Sequence, residues 1–233
     1  MSTTSAPPHK PESYTLSDFA RSDAYHNSFL IPQDEALEFA LKNSEENGLP
    51  RIAVSTSEGK LLNLLARSIG AKRVLEVGTL GGYSTIWLAR ALPEDGKLIT
   101  LELEQKHANV ARANLEHAGV SSKVDIIVGP AADSIVKLKP EPAPFDLAFI
   151  DADKENNLTY FLEAKRLVKK GGVIIVDNVV RNGKVSDPDL NNEYVEGVRR
   201  LLRHLKEDKD VDATTIATAG EKGYDGFLYA YLK

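Results

Sequence analysis

Cysteine is absent from the 233 residues. That absence excludes disulfides, thiolate-held zinc, iron–sulfur clusters and thiol nucleophiles, and it fits a reducing compartment. Long apolar runs are missing too: none approaches the roughly 20 residues that a membrane-spanning helix needs. The opening stretch MSTTSAPPHKPESYTLSDF has no apolar centre of the kind a secretory signal requires. It is also too acidic and too poor in arginine for an organelle transit peptide, so the expected location is the cytoplasm. Its Ser/Thr/Pro bias predicts a flexible tail over residues 1–12. Positive charge is not in excess. With 29 Lys+Arg against 34 Asp+Glu the formal net charge is -5, which supports neither a nucleic-acid nor an anionic-membrane partner. There is no internal repeat, and KPEPAPFD is the one proline-rich interruption. A single domain over 13–233 is expected, with residues 13–70 forming N-terminal helices.

What the chain does contain is an alternation of strand and helix patterns. RVLEVG (73–78), KLITLE (97–102), KVDIIVG (123–129), FDLAFID (145–151) and GGVIIVDN (171–178) are short β-rich runs. Several are almost continuously apolar, as parallel strands covered on both faces are. Between them lie helical patterns: YSTIWLARAL, EQKHANVARANLEHAG, AADSIVKLK and NLTYFLEAKRLVKKG, with Gly119 and Gly171 as the expected C-terminal stops of the second and last. Upstream, SEGKLLNLLARSIG predicts a helix capped by Ser57, with Leu61, Leu62, Leu64, Leu65 and Ile69 on its apolar face, and a further helix starts just after Pro32. Downstream, a helix from NEYVEGVRR is followed by two closing strands, DATTIATA and GFLYAYLK, joined by GEKGYD. Together these predict a doubly wound α/β sheet.

In such sheets ligands bind beyond the carboxyl ends of the strands. Gly78, Gly81 and Gly82 follow the first strand and allow a sharp turn with close backbone approach to a ligand. Their spacing is neither the dinucleotide fingerprint nor a phosphate loop. Glu102 ends the second strand, where a carboxylate can accept both hydroxyls of a ribose; the plainer alternative is an acid favoured by the dipole of the next helix. Asp151 ends the fourth strand, and Asp177 and Asn178 end the fifth. Consecutive strands tend to be neighbours. Two carboxylates and an amide oxygen would then form an all-oxygen set suited to Mg²⁺, or to Mn²⁺ or Ca²⁺. Taken singly, each residue reads equally well as a cap or turn former. Lys154, three residues after Asp151, is either a solvated lysine on a first helical turn or, beside a divalent cation, a candidate proton acceptor.

The ordered set LEVGTLGGYS, LITLELE, FIDADKENN and IIVDNVVRNGKV closely resembles the cation-dependent O-methyltransferases that use S-adenosylmethionine, including catechol and plant caffeoyl-coenzyme A enzymes. The resemblance spans roughly residues 50 to 233. It implies a Rossmann-like class I methyltransferase fold: a seven-stranded, mostly parallel sheet with the last strand antiparallel, helices on both faces and an N-terminal helical extension. It implies cofactor contacts from Glu76, Gly78, Tyr83, Ser84, Glu102, Ala132 and Asp151, metal ligation by Asp151, Asp177 and Asn178, and Lys154 as general base with Asp151 beside it. The implied reaction moves a methyl group from S-adenosylmethionine to a hydroxyl of a small phenolic, catechol-type acceptor, and the implied assembly is a homodimer. Arg181 departs from the plant-type pattern, which has Trp there, leaving two roles open: favouring an acidic acceptor, or facing solvent. Tyr160, Phe161, Tyr194 and Tyr224 are aromatics that could flank a flat ring. The competing readings are a nicotinamide-dependent reductase, opposed by the glycine spacing and the lack of a Y-x-x-x-K pair, and a non-catalytic cofactor-binding regulator.

Overall fold

The computed structural model describes residues 13–233; the tail expected over 1–12 lies outside them. Three helices come first: α1 (Leu16–Leu30), α2 (Glu35–Glu46) and α3 (Thr56–Ser68). Then strand and helix alternate: β1 (Arg73–Val77), α4 (Tyr83–Ala91), β2 (Lys97–Glu102), α5 (Gln105–His117), β3 (Val124–Val128), α6 (Ala131–Ile135), β4 (Phe145–Ile150), α7 (Asn157–Leu167) and β5 (Val168–Val176). The chain closes with α8 (Glu193–Glu207), β6 (Val211–Gly220) and β7 (Gly223–Leu232). The seven strands form one sheet in the order β3-β2-β1-β4-β5-β7-β6. β7 enters antiparallel between β5 and β6, while β1 to β5 are parallel.

The near-continuous apolar runs exist because both faces of the sheet are covered. Leu147 and Phe149 of β4 point into a core shared with α3 and α4. Ala148 and Ile150 point into a second core shared with α7 and α8, where Phe161 is fully buried. Truncating a side chain such as Phe161 to alanine would cost on the order of 3–5 kcal/mol. Among the described residues no helix is long and apolar enough to cross a membrane.

Three local expectations are corrected. The cap of α3 is Ser55, not Ser57: its hydroxyl accepts the Glu58 N–H, and the Glu58 carboxylate accepts the Ser55 N–H at 2.9 Å, a reciprocal box that starts the helix two residues earlier. Leu64, expected on the apolar face, is exposed, and Leu62 and Ala66 face the core. The helix expected to run to Gly171 stops at Leu167, because Val168 already pairs with Phe145 in the sheet; a register shift follows, after which Val173 pairs with Leu147. Lys169 to Gly171 belong to this irregular stretch of β5. The loop expected at GEKGYD shrinks to Glu221 and Lys222, because β6 and β7 pair up to Gly220 and Gly223.

Candidate active site

Strand register assembles the site. Val77, Ile150 and Val176 are paired across β1, β4 and β5, so the next residues, Gly78, Asp151 and Asp177, emerge side by side. The row is locked by backbone bonds from Asp151 N–H to Val77 O (2.8 Å) and from Asp177 N–H to Ile150 O (2.9 Å). Beyond it opens a cleft of about 650 Å³, whose lining includes Gly78, Glu102 and Ala132 as well as Asp151, Lys154 and Asn178. Tyr83 and Ser84, at the first turn of α4, also face it.

The turn after β1 is held from below. Gly78 (φ 104), Leu80 (φ 50) and Gly82 (φ 80) all adopt positive φ. A side chain at 78 would meet the Asp151 carbonyl oxygen at 2.1 Å, so only glycine lets β1 and β4 end this close together. Glu102 clasps the turn: one carboxylate oxygen accepts the N–H groups of Thr79 (3.2 Å) and Leu80 (2.7 Å). The other accepts the Glu104 N–H (3.0 Å) and lies 3.2 Å from His107 Nδ1. Asn114, fully buried in α5, donates to Gly81 O (2.8 Å) and accepts from Asn43 of α2, tying the N-terminal helices to the same turn.

Glu76 lies behind the cleft rather than in its wall. It is fully buried and accepts the hydroxyls of Ser84 (2.7 Å) and Thr85 (2.5 Å). Burial pushes its carboxyl up to about 7, against the stabilising hydroxyl donors. Its place is therefore under the first turn of α4, which it braces through Ser84.

Lys154 is only 5% exposed although it is a lysine. It sits in a 3₁₀ turn over Lys154–Asn156, and its Nζ donates to Asp151 Oδ1 at 2.6 Å. Asp177, 7% exposed, borders a neighbouring chamber of about 500 Å³ rather than the main cleft. Burial first, and then the Asp151 and Glu58 carboxylates, push its carboxyl well above the usual carboxylate range, and Lys154 opposes that rise. Asn178 lines both cavities. Its Nδ2 is turned to Asp225 Oδ2 (3.3 Å), which leaves Oδ1 as the free acceptor. Among the described residues no three His, Asp or Glu side chains gather at metal-binding spacing, so the amide of Asn178 has to complete any oxygen set here. A pair of crowded carboxylates with one lysine and a spare amide oxygen is chemically matched to a hard divalent cation.

Sequence reasoning missed Asp225. Its Oδ1 accepts the N–H groups of Val180 (3.1 Å), Arg181 (2.7 Å) and Gly226 (2.9 Å), clasping the loop that carries Asn178. Asn178, Arg181 and Asn182 all have positive φ, of 58°, 56° and 56°. Such conformations cost of order 1 kcal/mol or more each for non-glycine residues. The carboxylate offsets that cost, and no local signal around a hairpin aspartate announces it. Glu58 and His107 were missed as well. Of the aromatics, Tyr160 and Tyr194 line the cleft, whereas Phe161 is core and Tyr224 is a partly exposed strand residue outside both cavities.

A family model described as O-methyltransferase matches residues 27–222. A catechol O-methyltransferase of Mycobacterium tuberculosis is 50% identical over 211 residues, covering 91% of this chain and 94% of that protein. The O-methyltransferase TomG of Streptomyces achromogenes, solved with S-adenosylmethionine, superimposes with a TM-score of 0.91 at 47% identity over 95% of this chain and 100% of the other. An O-methyltransferase of Bacillus cereus, solved with the demethylated product S-adenosylhomocysteine, gives 0.91 at 45% identity over 94% and 100%. The chain belongs to this family and is an S-adenosylmethionine-dependent O-methyltransferase.

Proposed function

We propose that this enzyme methylates one hydroxyl of a vicinal dihydroxy-aromatic acceptor, with Asp151, Asp177 and Asn178 holding a divalent cation and Lys154 receiving the hydroxyl proton. The observation that carries the reading is the buried Lys154 Nζ, 2.6 Å from Asp151 Oδ1 and beside Asp177, in the cleft that starts at the glycine turn. A lysine is not desolvated here to complete a core; its amine points at a carboxylate on the row of strand ends. The M. tuberculosis relative and another from Niastella koreensis, 47% identical over 216 residues, both carry the name catechol O-methyltransferase.

In this reading Glu102 takes the ribose hydroxyls of the methyl donor, Ala132 borders its adenine, and Gly78, Tyr83 and Ser84 surround its methionine part. The N–H groups at the start of α4, whose cap Gly82 contributes no side-chain bond, face the donor's carboxylate. Glu76 acts through Ser84. A bound Mg²⁺ or similar cation would withdraw charge from the acceptor's hydroxyls and ease their ionisation. The proton acceptor in this reading is the neutral form of the Lys154 amine, whose Nζ lone pair takes the hydroxyl proton, and Asp151 keeps that amine on the acceptor side. The acceptor oxygen then attacks the sulfonium methyl in line, and the sulfur leaves as the neutral thioether. The protein's main contribution is holding the two reactants at attack distance. The exposed apolar side chains of α1, Tyr25, Phe29 and Leu30, support a homodimer formed through that helix, which light scattering tests.

The reading is tested by methyl transfer to a panel of ortho-dihydroxy aromatics, with Mg²⁺ and with excess chelator. Product that vanishes with chelator and in Asp177→Ala and Lys154→Ala is expected. Product that ignores the chelator would overturn the metal role of Asp177 and Asn178. The alternatives of a reductase or a non-catalytic regulator have no support from the family to which the chain belongs.

A further inference from the structure

Arg181 stands at the junction of the two cavities, lining both the 650 Å³ cleft and the 500 Å³ chamber together with Asn178. Its backbone is fixed there at φ 56 by the Asp225 carboxylate, and the next residue is held by a bond from Asn182 N–H to Tyr224 O (2.9 Å). Its guanidinium lies 5.9 Å from the centroid of the Tyr194 ring, and Pro50 and Ile52 add apolar wall to the same cleft.

Among the described residues Arg181, like Arg67, Arg73 and Arg112, forms no ion pair, and of these four it is the one that lines the cleft. The acids around it are engaged elsewhere. Asp225 is filled by three backbone N–H groups and the Asn178 amide, Asp151 holds Lys154, and Asp153 accepts from Tyr160 and Asn156. This half-buried guanidinium near an aromatic ring has its N–H edges free of protein acceptors, and that fork matches a carboxylate in two parallel bonds.

Resting on the catechol reading above, we propose that Arg181 selects acceptors bearing a carboxylate: dihydroxy-aromatic acids rather than neutral catechols. The hydroxyls lie toward Asn178 and Asp151, the ring runs along Tyr194 and Ile52, and the acid group meets the guanidinium three residues along the same loop. A neutral acceptor leaves the guanidinium without an anionic partner.

The test compares 3,4-dihydroxybenzoate with its primary amide, and 3,4-dihydroxyphenylacetate with its amide, under saturating S-adenosylmethionine and Mg²⁺. The readout is the ratio of kcat/KM for acid over amide in wild type, Arg181→Gln and Arg181→Lys, each checked for fold by thermal unfolding and for S-adenosylhomocysteine binding. Wild type should favour at least one acid by about tenfold or more, chiefly through KM, as charge-assisted bonds of this kind do. That ratio should fall as salt is raised, approach one in Arg181→Gln and recover in part in Arg181→Lys. A wild-type ratio near one for both pairs overturns the proposal, even if the variants do not fold, while leaving the catechol reading intact. A preference that persists in folded Arg181→Gln also overturns it, since the acid would then be read elsewhere. No methylation of any of the four compounds, with S-adenosylhomocysteine still bound, removes the catechol reading and this inference together.

Discussion

A single methyl group at Gly197 should separate Lys154, the proposed base, from the rest of the site. Gly197 is on the face of α8 that packs over the 3₁₀ turn of Lys154–Asn156. A Cβ there would stand 2.0 Å from the Lys154 carbonyl oxygen, 2.6 Å from its carbon and 2.8 Å from the Glu155 Cα. All three atoms are backbone, so no side chain can swing aside; helix and turn must part by roughly 1 Å or more to regain ordinary contact. Two effects then compete. Alanine in place of glycine favours the helix by about 1 kcal/mol. Forcing extra volume into a packed interface costs typically about 1–3 kcal/mol. Here the interface is pinned on both sides of the glycine by buried Val195, Val198 and Leu201, and by Arg200, which donates to Glu155 O at 2.9 Å. The clash should win, giving net destabilisation of about 1–2 kcal/mol and a Tm lower by roughly 2–8 °C for a chain this size. The larger effect is on rate, because misplacing a catalytic group by about 1 Å can cost on the order of 100-fold. S-adenosylhomocysteine affinity should hold, since the atoms that a Cβ at 197 would strike belong to Lys154 and Glu155 and not to Glu102 or the glycine turn. Differential scanning calorimetry, product calorimetry and single-turnover methylation of Gly197→Ala measure the three quantities. A Tm equal to or above wild type with an unchanged rate would refute the packing argument.

The remaining predictions concern charge. Asp225→Ala removes the acceptor for three backbone N–H groups and the Asn178 amide; Mn²⁺ affinity should weaken by about 10–100-fold, as with other residues that orient metal ligands, while S-adenosylhomocysteine binding is retained. Glu76, ordinarily near 4.5, is raised to about 7 by burial, so the folded state holds its proton more tightly than the unfolded one. Its stabilising contribution is complete below the unfolded value and is lost as pH rises through about 7, a swing of order 3 kcal/mol. Urea unfolding at pH 5 and 8 should show that swing in wild type, and it should be absent in Glu76→Gln; equal pH dependence in both would sink the assignment. Asp177 is raised in the same direction by burial and by Asp151, and a cation binds only its ionised form. Divalent-cation affinity should therefore keep climbing as pH rises above the usual carboxylate range, with release of a proton, measured by calorimetry in buffers of different ionisation enthalpy, and a flat profile would contradict it.

Much of the fold was legible because both faces of the parallel strands are covered, which writes each strand as an unbroken apolar run. Lys97–Glu102 matches its sequence pattern at both ends, and the antiparallel entry of the last strand agrees with the resemblance. The boundaries that slipped did so where two local signals compete. In STS, both Ser55 and Ser57 can cap, and only the reciprocal bond with Glu58 decides between them. In LVKKGG, two lysines before a glycine read as a helix end, yet the pairing of Val168 with Phe145 takes the segment into the sheet. Tertiary pairing overrode local propensity, as it often does for strands.

The site divides along the same line. Gly78, Glu102, Asp151 and Asp177 were readable because strand register alone sets their neighbours: each is the last residue of a parallel strand or the next one out. Lys154 was readable because it follows Asp151 on the same turn. Asp225, by contrast, acts on Asn178 and Arg181 from a hairpin more than forty residues away, through backbone N–H groups that carry no sequence identity. The neighbouring chamber is assembled from such pieces: Asp23 of α1, the stretch around Ile52, Asn178 and Arg181 of the loop after β5, and the β6–β7 hairpin. None of them has a period to detect. Residues at strand ends are legible from register, whereas a chamber built from long-range loop contacts is not.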